Sequence, residues 1–292
     1  MAILMLRAMN LADDLNTAHN RAEMVFAILR QPIEQCGYGM PKNPSDFADS
    51  FNFPAIAPFN WKGAISTAPV YINEMRENGS CRIAYAVSSN ILVKAESETS
   101  GEKIEVIATG APPLLKQADS LKGATSVKNW AVFGAMLPDC RPLRLSRAPK
   151  KVLGGTSLSF DWNRPVSSDA NILIPENDEL FYLRAMECRV LKKQEEDSDG
   201  NNRMGYSFYT FDHMGTGWQP RVNGVIDIRF ELDPGGRMIK VRTLTKGDTR
   251  HSKKVSPKIP DGWPEEYASA IPDDILHYVL VARSASFELK NF

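Results

Sequence analysis

The chain has 292 residues, 43% of them hydrophobic and 24% charged, and its 35 basic side chains balance 35 acidic ones. This is the composition of an ordinary globular protein, with enough apolar material for one large β domain or two smaller ones. A formal net charge of zero excludes a global pull toward nucleic acid or an anionic membrane, and it removes the long-range self-repulsion that opposes assembly.

The opening run Met1–Leu6 meets Arg7 after six residues. That is too short for a signal-peptide core, and no other run approaches a membrane span, so synthesis in the cytoplasm is expected. Residues 3–30 are predicted to form an amphipathic helix. Leu4, Ala8, Leu11, Leu15, Ala18, Ala22, Val25 and Leu29 recur at alternating spacings of four and three, the seam of a heptad pattern. Pro32 is expected to stop the helix.

The seam has two readings: it packs against the protein's own β-domain, or it docks on another copy. Met1, Ile3, Met5 and Met9 lie partly off the stripe and widen the apolar surface near the tip. On the second reading Leu4, Leu11, Leu15, Val25 and Leu29 form an assembly interface, and residues 1–31 are dispensable to the β-domain.

Residues 32–60 read as a strap. Pro32, Pro41, Pro44, Pro54 and Pro58 forbid a continuous helix or a central strand. Phe47, Phe51, Phe53 and Phe59 are more than a disordered linker would carry, so the strap is expected to be pinned down. The third region, 61–292, is written in β-strand patterns and is assigned to one antiparallel β-sandwich.

Strands are expected near 64–71, 81–95, 103–108, 129–136, 156–162, 179–191, 204–212, 225–232, 237–245 and 275–289. Turn signals separate them: Asn78-Gly79, Asp199-Gly200, Pro234-Gly235-Gly236, Lys246-Gly247-Asp248 and Asp261-Gly262. The best-written hairpin is Gly224–Thr245, where Ile226, Ile228, Phe230 and Leu232 alternate with Val225, Asp227, Arg229 and Glu231. Period-two alternation predicts one buried and one wet face. Glu179–Gln194 carries helix-forming residues, with Asn177 or Asp178 as a cap. It is read as a strand because Asp199-Gly200-Asn201-Asn202 leads directly into Tyr206-Ser207-Phe208-Tyr209.

Signals for chemistry are sparse. Cys36, Cys81, Cys140 and Cys188 lack metal-ligand spacing and read as free buried thiols. Among His19, His213, His251 and His277, His213 beside Gly215-Thr216-Gly217-Trp218 is the most site-like, but no nucleophile accompanies it. His277 reads as a satisfied, half-buried imidazole. Asp161, Glu187, Asp212 and Asp227 are the carboxylates a glycosidase would need, and also what any exposed sheet face carries. Asp197, Asp199 and Asn201 lack the glycine and distal glutamate of a calcium loop. No catalytic residue, metal or cofactor is assigned.

Basic residues cluster from Arg237 to Lys258, and again at Arg141, Arg144, Arg147, Lys150 and Lys151. Lys240, Arg242, Arg250, Lys253 and Lys254 are the candidate sequence-independent contacts to nucleic-acid phosphates. No aromatic residues are interleaved, so base stacking is not expected.

The order of parts resembles the jelly-roll capsid proteins of small icosahedral picorna-like viruses. The lead-in Phe53-Pro54-Ala55-Ile56-Ala57-Pro58-Phe59-Asn60-Trp61, the long Glu179–Asp212 stretch, the proline-rich loops and the C-terminal strand Ile275–Leu289 carry the resemblance. It implies two packed four-stranded sheets and assembly with other copies or sister subunits into a virion shell around a genome. The alternative is a carbohydrate-binding or carbohydrate-processing β-sandwich, with Trp130, Trp162, Trp218 and Trp263 as stacking platforms.

Overall fold

Helix α1 (Ala2–Gln35) runs through Pro32 and ends at Gly37 rather than stopping at the proline. Pro32 lies in the last turn, where its missing N–H costs one bond to the Ile28 carbonyl and its fixed φ suits the helix. The burial of Ile33 and Cys36 just beyond it offsets that loss. Gly37 adopts a left-handed φ of 76°, and its N–H donates to the Ala84 carbonyl at 3.0 Å.

The computed structural model describes residues 2–38, 40, 43–45, 60–61, 64–65, 68–73, 79–94, 97–98, 103–109, 130–133, 142–145, 150–162, 173–174, 176–196, 202–212 and 217–291. Most of the strap, and most of the lead-in before Trp61, therefore lies outside the described residues. The strands are β1 (Asn60–Trp61), β2 (Ala64–Ile65), β3 (Val70–Asn73), β4 (Ser80–Leu92), β5 (Ser97–Glu98), β6 (Lys103–Ala108), β7 (Trp130–Phe133), β8 (Pro142–Leu145) and β9 (Lys150–Val152). They continue as β10 (Gly155–Trp162), β11 (Leu173–Ile174), β12 (Glu179–Glu196), β13 (Asn202–Asp212), β14 (Gly217–Asn223), β15 (Val225–Leu232), β16 (Met238–Lys246) and β17 (Leu280–Glu288). A short helix α2 (Glu265–Ala268) and a 3-10 turn (Asp273–His277) precede β17.

The protein is mainly β, antiparallel throughout, with an N-terminal helix. Its strands form a ten-stranded sheet, a three-stranded sheet and two two-stranded pairs among the described residues, rather than two sheets of four. The 18-residue β12 is the spine of the large sheet. β4 pairs along one edge of it, while β7 and then β13 share the other edge, at Leu180–Tyr182 and Met186–Glu196 respectively. The 179–194 segment is thus a strand, and with β13 it makes the expected long hairpin.

β14 turns at Gly224 (φ 74°) into the three-stranded meander β15-β16-β17. The predicted hairpin forms in register from Val225↔Thr245 to Leu232↔Ile239. Its faces depart from expectation: Val225, Asp227 and Arg229 are buried as well as Ile226, Ile228 and Phe230. Cross-strand partners share a face, and the face carrying Arg229 lies under Tyr267, whose ring centroid is 4.0 Å from the Arg229 guanidinium carbon. Side chains from α1, β3, β4, β12–β17 and the 263–278 segment make one continuous core.

Asn78, of the turn expected at Asn78-Gly79, lies outside the described residues. β3 and β4 pair with Asn73 opposite Ser80, leaving a six-residue connection. Gly79 instead lets β4 cross the backbone of β15, since a Cβ there would sit 2.2 Å from the Ile228 carbonyl oxygen. The 275–289 segment begins as the 3-10 turn and becomes strand only at Leu280.

At the β15–β16 turn Asp233 accepts the Met238 N–H at 2.6 Å, and the backbone N–H groups there hold its carboxyl below the ordinary value of 3.8. A depressed folded-state pKa gives stability that is present above 3.8 and lost as pH falls through the depressed value. Asp233→Asn is expected to be less stable than the parent at pH 7 and equal to it in strong acid, read by urea unfolding. A difference that stays constant into acid would refute this role for the carboxylate.

Candidate functional site

The seam of α1 divides at its middle. Ala18, Ala22, Val25 and Leu29 have no exposed surface and pack with Phe26 and Ile33 into the protein's own core, where the Phe26 ring lies 6.3 Å from that of Phe287. Val25 and Leu29 are therefore core residues, and their assignment to an assembly interface is corrected. The three-stranded sheet has its own apolar face to cover, and α1 covers it. Leu15 and Leu11, one and two turns before Ala18 on the same seam, remain exposed. The side chain of Leu4 lies outside the described residues.

A polar joint marks the change. Asp14 is buried; its Oδ1 accepts the N–H groups of Asp248 (3.0 Å) and Thr249 (3.1 Å), and its Oδ2 lies 3.2 Å from His251 Nε2. Gly247 permits that approach, because a Cβ there would stand 2.7 Å from Asp14 Cβ. One helical repeat on, the Arg21 guanidinium packs over Gly224 and donates to the Lys246 carbonyl (2.6 Å) and to Asp248 Oδ1 (2.5 Å). The heptad pattern gave no sign of either residue, since Asp14 and Arg21 lie off the seam.

N-terminal to this joint, α1 runs beside the 249–255 segment across a groove of about 480 Å³ lined by Arg7, Asn10, Leu11, Thr249, His251, Ser252, Lys253, Lys254 and Val255. Of the predicted phosphate contacts, Lys253 and Lys254 reach this groove, while Lys240 and Arg242 sit on β16. Arg242 is held by Glu231 in two bonds of 2.9 and 3.1 Å, so its charge is matched. Arg250 is paired with Asp274 (2.8 Å) and Lys254 with Asp273 (2.6 Å). Lys150 and Lys151 lie exposed on β9, whereas Arg141 and Arg147 fall outside the described residues.

Among the described residues the catalytic candidates do not converge, and nothing is described of the Asp161 and Asp212 side chains. Glu187 is bonded to Arg82 at 2.6 Å and Asp227 to Arg229 at 2.7 Å. Burial raises the Asp227 carboxyl, against the opposing pull of Arg229. His277 Nδ1 lies 2.9 Å from the His251 carbonyl oxygen, a satisfied structural histidine. Trp263 is buried in the core, and Trp218 is covered by the Arg189 guanidinium at 4.0 Å and by Phe211 at 5.3 Å. His213, Asp197 and Asp199 lie outside the described residues, and nothing is described of the Trp130 and Trp162 side chains. Among the described residues no group of His, Cys, Asp and Glu is placed to hold a metal, and no helix is long and apolar enough to cross a membrane.

Cys36, Cys81 and Cys188 are free and buried, with Cys81 directly opposite Cys188 across β4 and β12. Burial drives the Cys36 and Cys81 thiols well up, and for Cys81 the neighbouring Cys188 adds to the rise. Compared with protein-family models, curated protein sequences and solved structures, the chain matches none.

Two outcomes are expected. Asp14→Ala removes the acceptor of two part-buried N–H groups and should cost about 1 kcal/mol by chemical denaturation; an unchanged midpoint would show that the joint contributes nothing. In the native protein Cys36, Cys81 and Cys188 should resist a thiol-specific chromogenic reagent that reacts with them after unfolding. Rapid labelling of any of the three, mapped by mass spectrometry, would contradict their enclosure.

Proposed function

We propose that this protein is a structural subunit that assembles with other copies of itself, and with related subunits, through the N-terminal turns of α1. The assembly that the sequence resemblance implies is the virion shell of a small icosahedral picorna-like virus. The observation that carries the reading is apolar exposure on a helix: Met5, Leu6 and Met9 are 64%, 61% and 63% exposed. From Ala2 to Met9 only Arg7 is polar, and a helix apolar on all sides is ordinarily buried. A second copy is the natural occupant. The heptad seam that packs in cis from Ala18 onward continues uncovered through Leu15 and Leu11, ready to pack in trans by the same spacing. Zero net charge places no long-range barrier between copies. The carbohydrate-binding alternative has less support, because Trp263 is enclosed and Trp218 is stacked on its own neighbours.

Deletion of residues 1–11, or the pair Met5→Glu and Met9→Glu, is expected to convert a high-mass native species into a folded monomer. The readouts are sedimentation with absorbance at two ultraviolet wavelengths, and circular dichroism. A full-length chain that sediments as a monomer at tens of micromolar would overturn the proposal. Deletion of 1–31 is not an equivalent test. It strips Val25, Phe26 and Leu29 from the core at about 1.5–3 kcal/mol each, a loss on the scale of the whole stability of a domain, about 5–15 kcal/mol.

A further inference from the structure

The groove between α1 and the 249–255 segment has a lining unlike the rest of this neutral chain. Arg7, Lys253 and Lys254 contribute three positive charges, and no carboxylate is among the lining residues. Four acids of the surrounding elements are already engaged. Asp14 accepts two backbone N–H groups and faces His251, Asp273 holds Lys254, Asp274 holds Arg250, and Asp248 holds Arg21. Among the described residues Arg7 and Lys253 have no carboxylate partner. The Lys254–Asp273 pair is largely solvent-exposed, so it is weak and open to competition from a more highly charged anion.

Neutral donors complete the polar side: the Asn10 amide and the Thr249 and Ser252 hydroxyls. Leu11 and Val255 supply an apolar wall beside the cations. A bare inorganic ion needs no such wall, but the organic part of an ester does. The volume, about 480 Å³, falls within the range of small-molecule sites. Cations drawn from two separate elements, with hydroxyl and amide donors between them, match the several oxygens of a phosphate group. No Phe, Tyr or Trp lines the groove, and its three cations point to the phosphate as the group recognised.

We propose that this groove binds a phosphate ester, with Arg7 and Lys253 as the principal cationic contacts and Asn10, Thr249 and Ser252 as donors. Because Arg7, Asn10 and Leu11 come from α1 and the rest from the 249–255 segment, the bound anion ties the outer turns of the helix to the β-domain. This site does not rest on the assembly reading: it uses no part of the Met5, Leu6 and Met9 surface and shares only Leu11 with the uncovered seam.

The test is titration of the full chain with three probes, namely inorganic pyrophosphate, a nucleoside triphosphate and a short fluorescent oligouridylate, at low and moderate salt. Arg7→Glu and Lys253→Glu are expected to weaken binding at least tenfold each, without change in the unfolding midpoint. Lys150→Glu, which removes an exposed cation on β9, is expected to leave binding unchanged. Amide hydrogen exchange in residues 5–12 should slow with ligand bound.

Binding of the triphosphate supports a small phosphate ester as the natural source, and binding of the oligonucleotide alone supports a polynucleotide backbone. Pyrophosphate binding without either ester would overturn the ester assignment. Failure of all three probes at millimolar concentration in low salt would overturn the site, as would equal weakening by Lys150→Glu and the groove variants.

Discussion

Burial of the Ala18–Ile33 half of α1 against the β15-β16-β17 meander is the contact on which the rest of this molecule depends. A three-stranded sheet has two faces and little area, and it persists in water only when a hydrophobic face is covered. Here α1 covers one side, with the Thr245 hydroxyl donating to the Ala18 carbonyl at 2.8 Å and Phe26 packed near Phe287. The other side is closed by the 263–278 segment, where Tyr267 lies over Arg229. Through β15 the same core reaches β4, β12 and β13 of the large sheet. The helix is therefore a core member of the β-domain from Ala18 on, while Met5, Leu6 and Met9 in its outer turns stay exposed.

The joints between these layers are polar and demand small residues. Among the described residues Arg229 is the largest fully buried side chain, at 2% exposure, and Asp227 and the Tyr267 ring meet its charge. Asp14 and Arg21 anchor α1 to the 246–249 corner, and each needs a glycine opposite, Gly247 and Gly224, to come close enough. These contacts place the outer turns of the helix alongside the basic 249–255 segment. The exposed apolar residues Met5, Leu6 and Met9 and the basic groove thus share one piece of helix.

Several elements were legible in the chain itself. β6 and β15 have the boundaries their alternation predicts, because each is bounded by strong turn residues. β12 was recognisable from the hairpin it makes with β13, although its own composition favours helix. β14 was missed because Gly217 and Pro220 argue against a strand. The structure puts it at a sheet edge, and a register shift between Phe208 and Tyr209 accommodates the proline there. The groove was half visible: Lys253 and Lys254 stood in a basic run, but Arg7 and Asn10 are more than 240 positions away in sequence.

By itself the sequence determined the classes of element and their polarity. A heptad-spaced helix, period-two strands and punctuating glycines are local consequences of side-chain spacing. Only the tertiary structure decided how far along the seam the core extends, which cations are matched by acids and which remain open, and that both faces of β15 are buried. Those are properties of side chains brought together from distant positions. A pattern of period two or 3.6 records which way a residue points, not what stands opposite it.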